Sequence, residues 1–512
     1  ESMIKKFNLI NSSIFYIFVL STLYFSYIFF ITDINGDWRT NIDSEILWPY
    51  NVLLIFSGEK IEFSAYGFFY FNLEHKFFQF LDLINYLKVS NIENLNNGIN
   101  FSGKLENLII AGRYFNVLII YLTLIIVYLI FKSLTKDNKL SFLLSVTYMF
   151  TPGIIQQIAH ARIDILASTL LIISYFFLIK FSENRKIFIY TLFIIFLFLS
   201  IYTKVQSYIF IIFLLISSLY FIKEHRENKE YQISIVTKVV IILFILYCIT
   251  YPILFHRHAK FSLLFLYSQL FIVNLYVYVI FKNNKNFINY NLILTFITFL
   301  TLIILIFIIN NISYMNYYAV RSTFLEPMEM RMYIGENLSG SDVITLDIKK
   351  NFLYFFTLFE KIASNFWLGL KLTLTKYNSN SLLLLLNLLL ILYYYFFKGS
   401  KKDLLLFLPL VSFFSINGIN LIRGSGLVTY LTYSEFFLFI PLCVYLFKSN
   451  IKLKKIIIIC IIFSLTTPIV INPNNYNSIK FQKSDQFNRW CPHFLDSYTK
   501  KISRKEIDKI CN

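Results

Sequence analysis

Four carboxylates fall within thirteen residues of the segment DINGDWRTNIDSEILWPYNVLLIFSG, residues 33–58: Asp33, Asp37, Asp43 and Glu45. They follow an apolar stretch, Ile10 to Ile31, that carries no charge. An acid at the edge of such a stretch can meet a lipid head group and a water-borne acceptor together, and can take a proton from a hydroxyl or an amine. The plain alternative is that these are solvated loop acids or helix N-caps. Glu74-His75-Lys76 is a second cluster of titratable groups in the same polar region.

Cations that could face a phosphate recur further along. The segment PGIIQQIAHARIDILAS, residues 152–168, offers His160, Arg162 and Asp164 after a helix-breaking Pro-Gly pair. A guanidinium binds phosphate oxygens in a fork, which suits Arg162; a buried Arg–Asp pair is the structural alternative. Lys204, in IYTKVQSYIF, lies between two apolar runs. It is either a compact charge for a phosphate or a snorkelling lysine in a tight turn. His256 and Arg257 open the cationic run HRHAK, and Arg321, Arg331 and Arg423 are single cations.

The elements that must position these groups are membrane helices. Hydrophobic residues make up 57% of the 512 residues and charged ones 15%, with mean hydropathy +0.63. Apolar runs of about 20 residues recur along the chain, and they lack the alternation of a barrel strand. The sequence therefore predicts an all-α polytopic membrane protein of about 13 transmembrane helices. The spans fall near 10–31, 108–131, 140–158, 164–181, 187–203, 207–222, 233–254, 261–281, 289–310, 381–397, 404–421, 430–447 and 455–471.

The formal charge of +18 fits nucleic acid poorly, because the basic residues cluster in short loops between spans. Those loops alternate: Lys5-Lys6, Lys132/Lys136/Lys139, Arg185-Lys186, Lys223/Arg226/Lys229, Lys282/Lys285, Lys398/Lys401/Lys402 and Lys448/Lys452/Lys454/Lys455 all belong to one side. The positive-inside rule makes that side, and the N-terminus, cytoplasmic. The candidate catalytic groups then lie on the outer side. The chain divides into an N-terminal transmembrane module, 1–310, with a large outer loop 32–107; an outer loop 311–380; C-terminal helices 381–471; and an external tail 472–512. Phe77–Lys88 and Asn351–Leu374 have the spacing of interfacial helices. Cys248, Cys443 and Cys460 lie in apolar spans; Cys491 and Cys511 lie in the tail, where a disulfide is plausible outside the cytoplasm. No zinc pattern, P-loop or Gly-rich nucleotide fingerprint is present.

These pieces resemble the GT-C fold, polyprenyl-phosphate-dependent membrane glycosyltransferases, with the protein-mannosyltransferase-like and lipid A aminoarabinose-transferase-like proteins nearest in pattern. In that family an Asp in the first outer loop precedes a Ser-Gly pair by about fifteen residues; here Asp43 precedes Ser57-Gly58. Glu74-His75-Lys76 stands where the family has an acid or His ahead of a Pro-rich helix, with Phe77-Phe78 replacing the prolines. Gly112-Arg113-Tyr114, Pro152, Ala161-Arg162 and Asp164 match the third and fourth spans, and Thr203-Lys204 stands at the family's Lys-Gly pair. The resemblance covers roughly residues 10–225.

The resemblance implies inverting transfer of a sugar from a polyprenyl-phosphate donor to a lipid, glycan or protein acceptor. The transfer would occur on the outer face of a bacterial inner membrane. Asp43 would be the base, with Asp37 the alternative. Arg162, Lys204, His256 and Arg257 would bind the donor phosphate, and Glu74 and His75 would face the acceptor or a metal. Some GT-C enzymes use a divalent metal and others do not, so no cofactor follows. A lipid or polysaccharide transporter is the competing class; it would show inverted repeats with broken midplane helices, and no such repeat is visible.

Overall fold

The computed structural model describes residues 2–32, 34–35, 47–57, 68–87, 101–158, 161–184, 186–204, 378–410 and 428–471, with isolated positions 93, 95, 207, 214, 217, 220, 221 and 300. All regular structure among them is helical. The helices are α1 (Ser2–Phe30), α2 (Leu47–Phe56), α3 (Phe68–Leu83), α4 (Phe101–Thr135), α5 (Asn138–Met149), α6 (Pro152–Ile158), α7 (Asp164–Asn184), α8 (Ile187–Thr203), α9 (Asn378–Lys398), α10 (Phe436–Lys448) and α11 (Ile451–Ile471). Two 3₁₀ turns, Lys401–Leu406 and Val428–Tyr433, precede α10.

Among the described residues, five segments are long and apolar enough to cross a membrane: Ser13–Phe30, Gly103–Thr135, Asp164–Asn184, Asn380–Lys398 and Leu431–Lys448. Large apolar side chains remain exposed along them, including Phe15, Phe18 and Phe30 on α1, Leu122 on α4, and Leu389 and Phe396 on α9. A water-soluble surface does not carry rows of this kind, whereas lipid accepts them. The chain is a membrane protein, helical throughout the regular structure of its described residues.

The helix-forming runs expected at 10–31, 108–131, 164–181, 187–203, 381–397 and 455–471 each coincide with a helix. The run 140–158 does not form one span. It breaks at Phe150 and Thr151 into α5 and the seven-residue α6, each too short to cross. Pro152 has no amide hydrogen to donate to an upstream carbonyl, so the chain stops and restarts with proline in the first helical turn, where the missing donor costs nothing. The helix expected over 77–88 begins earlier, at Phe68, and ends at Leu83, where Asn85 turns the chain at φ 59°. Residues 404–421 begin as a 3₁₀ turn at Lys401–Leu406. The expected spans 233–254, 261–281 and 289–310, the segment Asn351–Leu374, nearly all of the loop 311–380 and the tail 472–512 lie outside the described residues.

α10 is the central element. Phe436 to Leu446 are buried without interruption. Phe436 stacks on Phe131 of α4 with ring centroids 6.0 Å apart, and Phe439 meets Tyr148 of α5 edge to face at 5.8 Å. Phe437 meets Tyr175 of α7 at 5.7 Å. Pro441 interrupts the backbone ladder of α10. Asn387 of α9 donates to Leu438 O nearby, at 2.8 Å. α7 and α8 form an antiparallel pair, joined where Ser200 Oγ donates to Ala167 O at 2.6 Å. Tyr24 of α1 donates to Val117 O of α4 at 2.8 Å, and the Thr123 and Thr169 hydroxyls pair α4 with α7 at 2.6 Å.

The bundle has two chemically different ends. One gathers Lys132, Lys180, Lys448 and Lys454: Lys132 reaches Ser13 of α1, Lys180 reaches Ser133 at 3.0 Å, and Lys454 lies 3.9 Å from Asp137. The opposite end carries the start of α4, α6, the junction into α7, the end of α8 and the start of α10.

Candidate functional site at the polar end of the bundle

Asp164 opens α7 and is 1% exposed. A carboxylate in the first turn is favoured by the partial positive charge of the helix N-terminus. Lys204 caps the end of α8 in extended conformation, its amide still bonded to Ser200 O at 3.0 Å. Because α7 and α8 run antiparallel, the two residues, forty positions apart, meet: Lys204 Nζ donates to Asp164 Oδ1, and Tyr433 Oη donates to the same oxygen at 3.1 Å. Arg162 Nε lies 3.8 Å from Asp164 Oδ2. Lys204 is 2% exposed, so it does not snorkel to water; it is an internal charge.

The structure thus joins two sequence readings. Arg162 and Asp164 are the expected pair, and Lys204 belongs to the same cluster. Among the described residues, two cations share one carboxylate, leaving one formal positive charge. The Arg162 guanidinium makes no hydrogen bond among the described residues; its contact with Asp164 is an ion pair at 3.8 Å. An excess cation held this far from water attracts an anion.

Asn116 of α4 fixes the backbone at this point, donating from Nδ2 to Arg162 O at 2.9 Å. Its Oδ1 accepts from Tyr70 Oη of α3 at 3.2 Å. One turn beyond Tyr70 lies Glu74, fully buried. Burial pushes its carboxyl well above the usual carboxylate range, and the nearby Tyr70 hydroxyl only partly offsets this. Burial, with Lys76 beside it, pushes the His75 imidazole down to about 4. Gly112 explains how α3 comes so close: a Cβ there would lie 2.9 Å from Pro49 Cγ, 3.0 Å from Glu74 Oε1 and 3.1 Å from Ala161 Cβ. Glycine lets three segments converge on one turn of α4.

The next residue, Arg113, is fully buried and donates from Nη1 to Ile34 O at 2.9 Å. Tyr114 Oη donates to Asn35 Oδ1 at 3.2 Å. The start of the acidic loop is therefore tied to α4 one turn from Asn116. Asp33, Asp37, Asp43 and Glu45, together with His160, His256 and Arg257, lie outside the described residues. Among the described residues, no three His, Cys, Asp or Glu side chains gather as metal ligands.

Glu435 went unnoticed in the sequence. It is fully buried and accepts from the Gly153 amide at 2.9 and 3.0 Å and from Asn380 Nδ2 at 2.8 Å. Gly153 is required there, since a Cβ would fall 2.5 Å from Thr432 N and 2.6 Å from Glu435 Oε2. The signal was available: between Asp403 and Asp485 the chain has one carboxylate, and it stands at the head of an apolar run. No protein-family model, curated protein or solved structure matches this chain.

Proposed function

We propose that the protein is a membrane glycosyltransferase that moves a sugar from a polyprenyl-phosphate donor to an acceptor at the outer face of the membrane. The observation that carries this reading is the buried excess of positive charge at Arg162, Lys204 and Asp164, at the end of the bundle opposite the lysine-rich one. The donor phosphate is the anion that such a site favours. The tie from Arg113 to Ile34 supports the reading, because it starts the acidic loop beside the same turn of α4.

In the proposed reaction Asp43 accepts the proton of the acceptor hydroxyl or amine. The freed electron pair attacks the anomeric carbon opposite the leaving group, and the bond from that carbon to the phosphate oxygen breaks. The polyprenyl phosphate departs with the bonding pair, and Arg162 stabilises the added negative charge. Asp164 is a positioning residue: it holds Lys204 in place and keeps the net charge of the cluster at one. Whether a divalent metal assists is left to the assay, with chelator and with added metal.

The test is transfer in vitro from a radiolabelled polyprenyl-phosphate sugar. Asp43→Asn is expected to lower turnover by about 10²–10⁴-fold with donor binding retained. Arg162→Ala is expected to weaken donor binding by roughly 10–100-fold, the loss of a charge-assisted phosphate contact. An inactive Asp37→Asn beside an active Asp43→Asn would reassign the base to Asp37. Full activity in both variants would make these carboxylates ordinary loop acids, and an unaltered chain that transfers no sugar would remove the enzymatic reading and favour a transporter.

A further inference from the structure

A second polar site lies at the lysine-rich end, far from the cluster around Asp164. A cavity of about 350 Å³ opens there between α9, the 3₁₀ turn Lys401–Leu406, α10 and α11. Its polar lining comes from Lys398, Ser400, Asp403, Lys448 and Asn450, with Tyr394 as an aromatic wall. The volume falls within the roughly 300–1,000 Å³ of small-ligand pockets.

The walls are built rather than incidental. Gly399, at φ 61°, turns the chain out of α9, and Ser400 N donates back to Tyr394 O at 3.2 Å. This places the Ser400 hydroxyl beside the last lysine of α9. Asp403 is fully buried and holds Lys448 Nζ at 3.3 Å through Oδ1, and Lys448 also donates to the Tyr220 hydroxyl. Asp403 Oδ2 is buried and has no hydrogen-bond donor among the described residues. Asn450 Oδ1 caps α11 by accepting from Leu453 N at 3.0 Å, which leaves its amide donors available. Lys398 is exposed and makes no ion pair or hydrogen bond among the described residues.

Among the described residues the cavity lining carries two lysines and one aspartate, with donors in Ser400 and Asn450. Phe396, Phe397 and Phe447, adjacent in sequence to the two lysines, are exposed. We propose that this cavity binds the head group of an anionic phospholipid. The phosphodiester lies between Lys398 and Lys448, the Ser400 hydroxyl and the Asn450 amide donate to it, and the acyl chains cover the exposed phenylalanines. Free phosphate would satisfy the lysines but would leave the apolar flank without a partner. Basic pockets between membrane helices are recurrent sites for such head groups.

The experiment is native mass spectrometry of the full chain, delipidated in detergent. It is titrated with phosphatidylglycerol, with phosphatidylcholine of the same acyl chains, and with glycerol 3-phosphate as a soluble competitor. Phosphatidylglycerol is expected to bind at least about five-fold more tightly than phosphatidylcholine, the worth of one lysine contact. Lys398→Ala should erase that preference. Lys452→Ala, an exposed lysine that does not line the cavity, should preserve it. Equal binding of the two lipids to the unaltered chain would overturn the proposal. So would an equal loss from Lys452→Ala, which would indicate diffuse surface charge. Competition by glycerol 3-phosphate at the concentration of the lipid would also overturn it, by identifying a soluble anion as the ligand.

Discussion

Asp164 is the residue on which the polar end depends. It is the ion-pair partner of both Arg162 and Lys204, all three within or close to the protein interior. Removing one member of a buried ion pair strands the others, at a cost of about 3–5 kcal/mol. Asp164→Asn should therefore lower the thermal midpoint in detergent markedly. Replacing Asp164 and Lys204 together by Leu and Met should cost less, because the desolvated charges leave as a pair. A larger loss in the double variant would mean that the pair is not the structural unit. Glu74 makes a different prediction. Its folded-state pKa is raised above the ordinary 4.5 by burial, so the folded protein prefers the protonated form. Its contribution is fully present below the unfolded value and is lost as pH rises through the folded value. Glu74→Gln imitates the protonated acid. It should leave stability at pH 4 unchanged and raise it relative to the unaltered chain at alkaline pH. Unfolding followed by circular dichroism across that range is the measurement; a variant curve parallel to the parent at every pH would show that Glu74 does not titrate on unfolding.

At the scale of elements, the sequence was legible where an apolar run was long and unpunctuated, and misleading where a short motif overrode it. α1, α4, α7, α9 and α11 follow from hydropathy alone. The run 140–158 reads as one span because its apolar content is continuous; Pro152 and Gly153 divide it. The reason for Gly153 is tertiary: it packs against the backbone of Leu431 and Thr432 and against Glu435, nearly three hundred residues away. Spacing within a sequence cannot reveal such a partner. For the same reason Arg162–Asp164 was legible as a pair two residues apart, whereas Lys204 joins it only through the antiparallel return of α8. Gly153→Ala should overlap backbone that cannot move independently, a form of overpacking that costs about 1–3 kcal/mol or more. Gly112→Ala should cost less, since a Cβ there meets the ends of the Pro49, Glu74 and Ala161 side chains. Comparing the two thermal midpoints checks the ranking, and a Gly112 variant weaker than the Gly153 variant would reverse it.

At the scale of the whole molecule, the two ends of the bundle divide the chemistry between them. Lys132, Lys180, Lys448 and Lys454 belong to one end through their bonds to Ser13, Ser133, Asp403 and Asp137. Arg113, Arg162, Lys204, Glu74, Asp164 and Glu435 belong to the other, and all are buried. The alternating basic loops of the sequence already include Lys132, Lys448 and Lys454, because lysines near span ends obey a rule of sidedness, whereas Lys180 lies inside an expected span. That rule could not foresee that the cations of the second group are internal, since burial is a property of packing. Lysines at one end and buried charges at the other lead us to propose that the lysine-rich end faces the cytoplasm. A cysteine introduced at Lys401, exposed at the lysine-rich end, should react with an impermeant maleimide only after the membrane is opened. A cysteine at Ser57, exposed at the end of α2, should react in sealed cells. Labelling is scored against the unaltered chain, whose own five cysteines set the background. Reaction of both positions from the same side would contradict the division into ends. Reaction of Lys401→Cys alone in sealed cells would turn the bundle over, and would put the Asp164 cluster on the cytoplasmic side, where the proposed donor site would have to be sought instead.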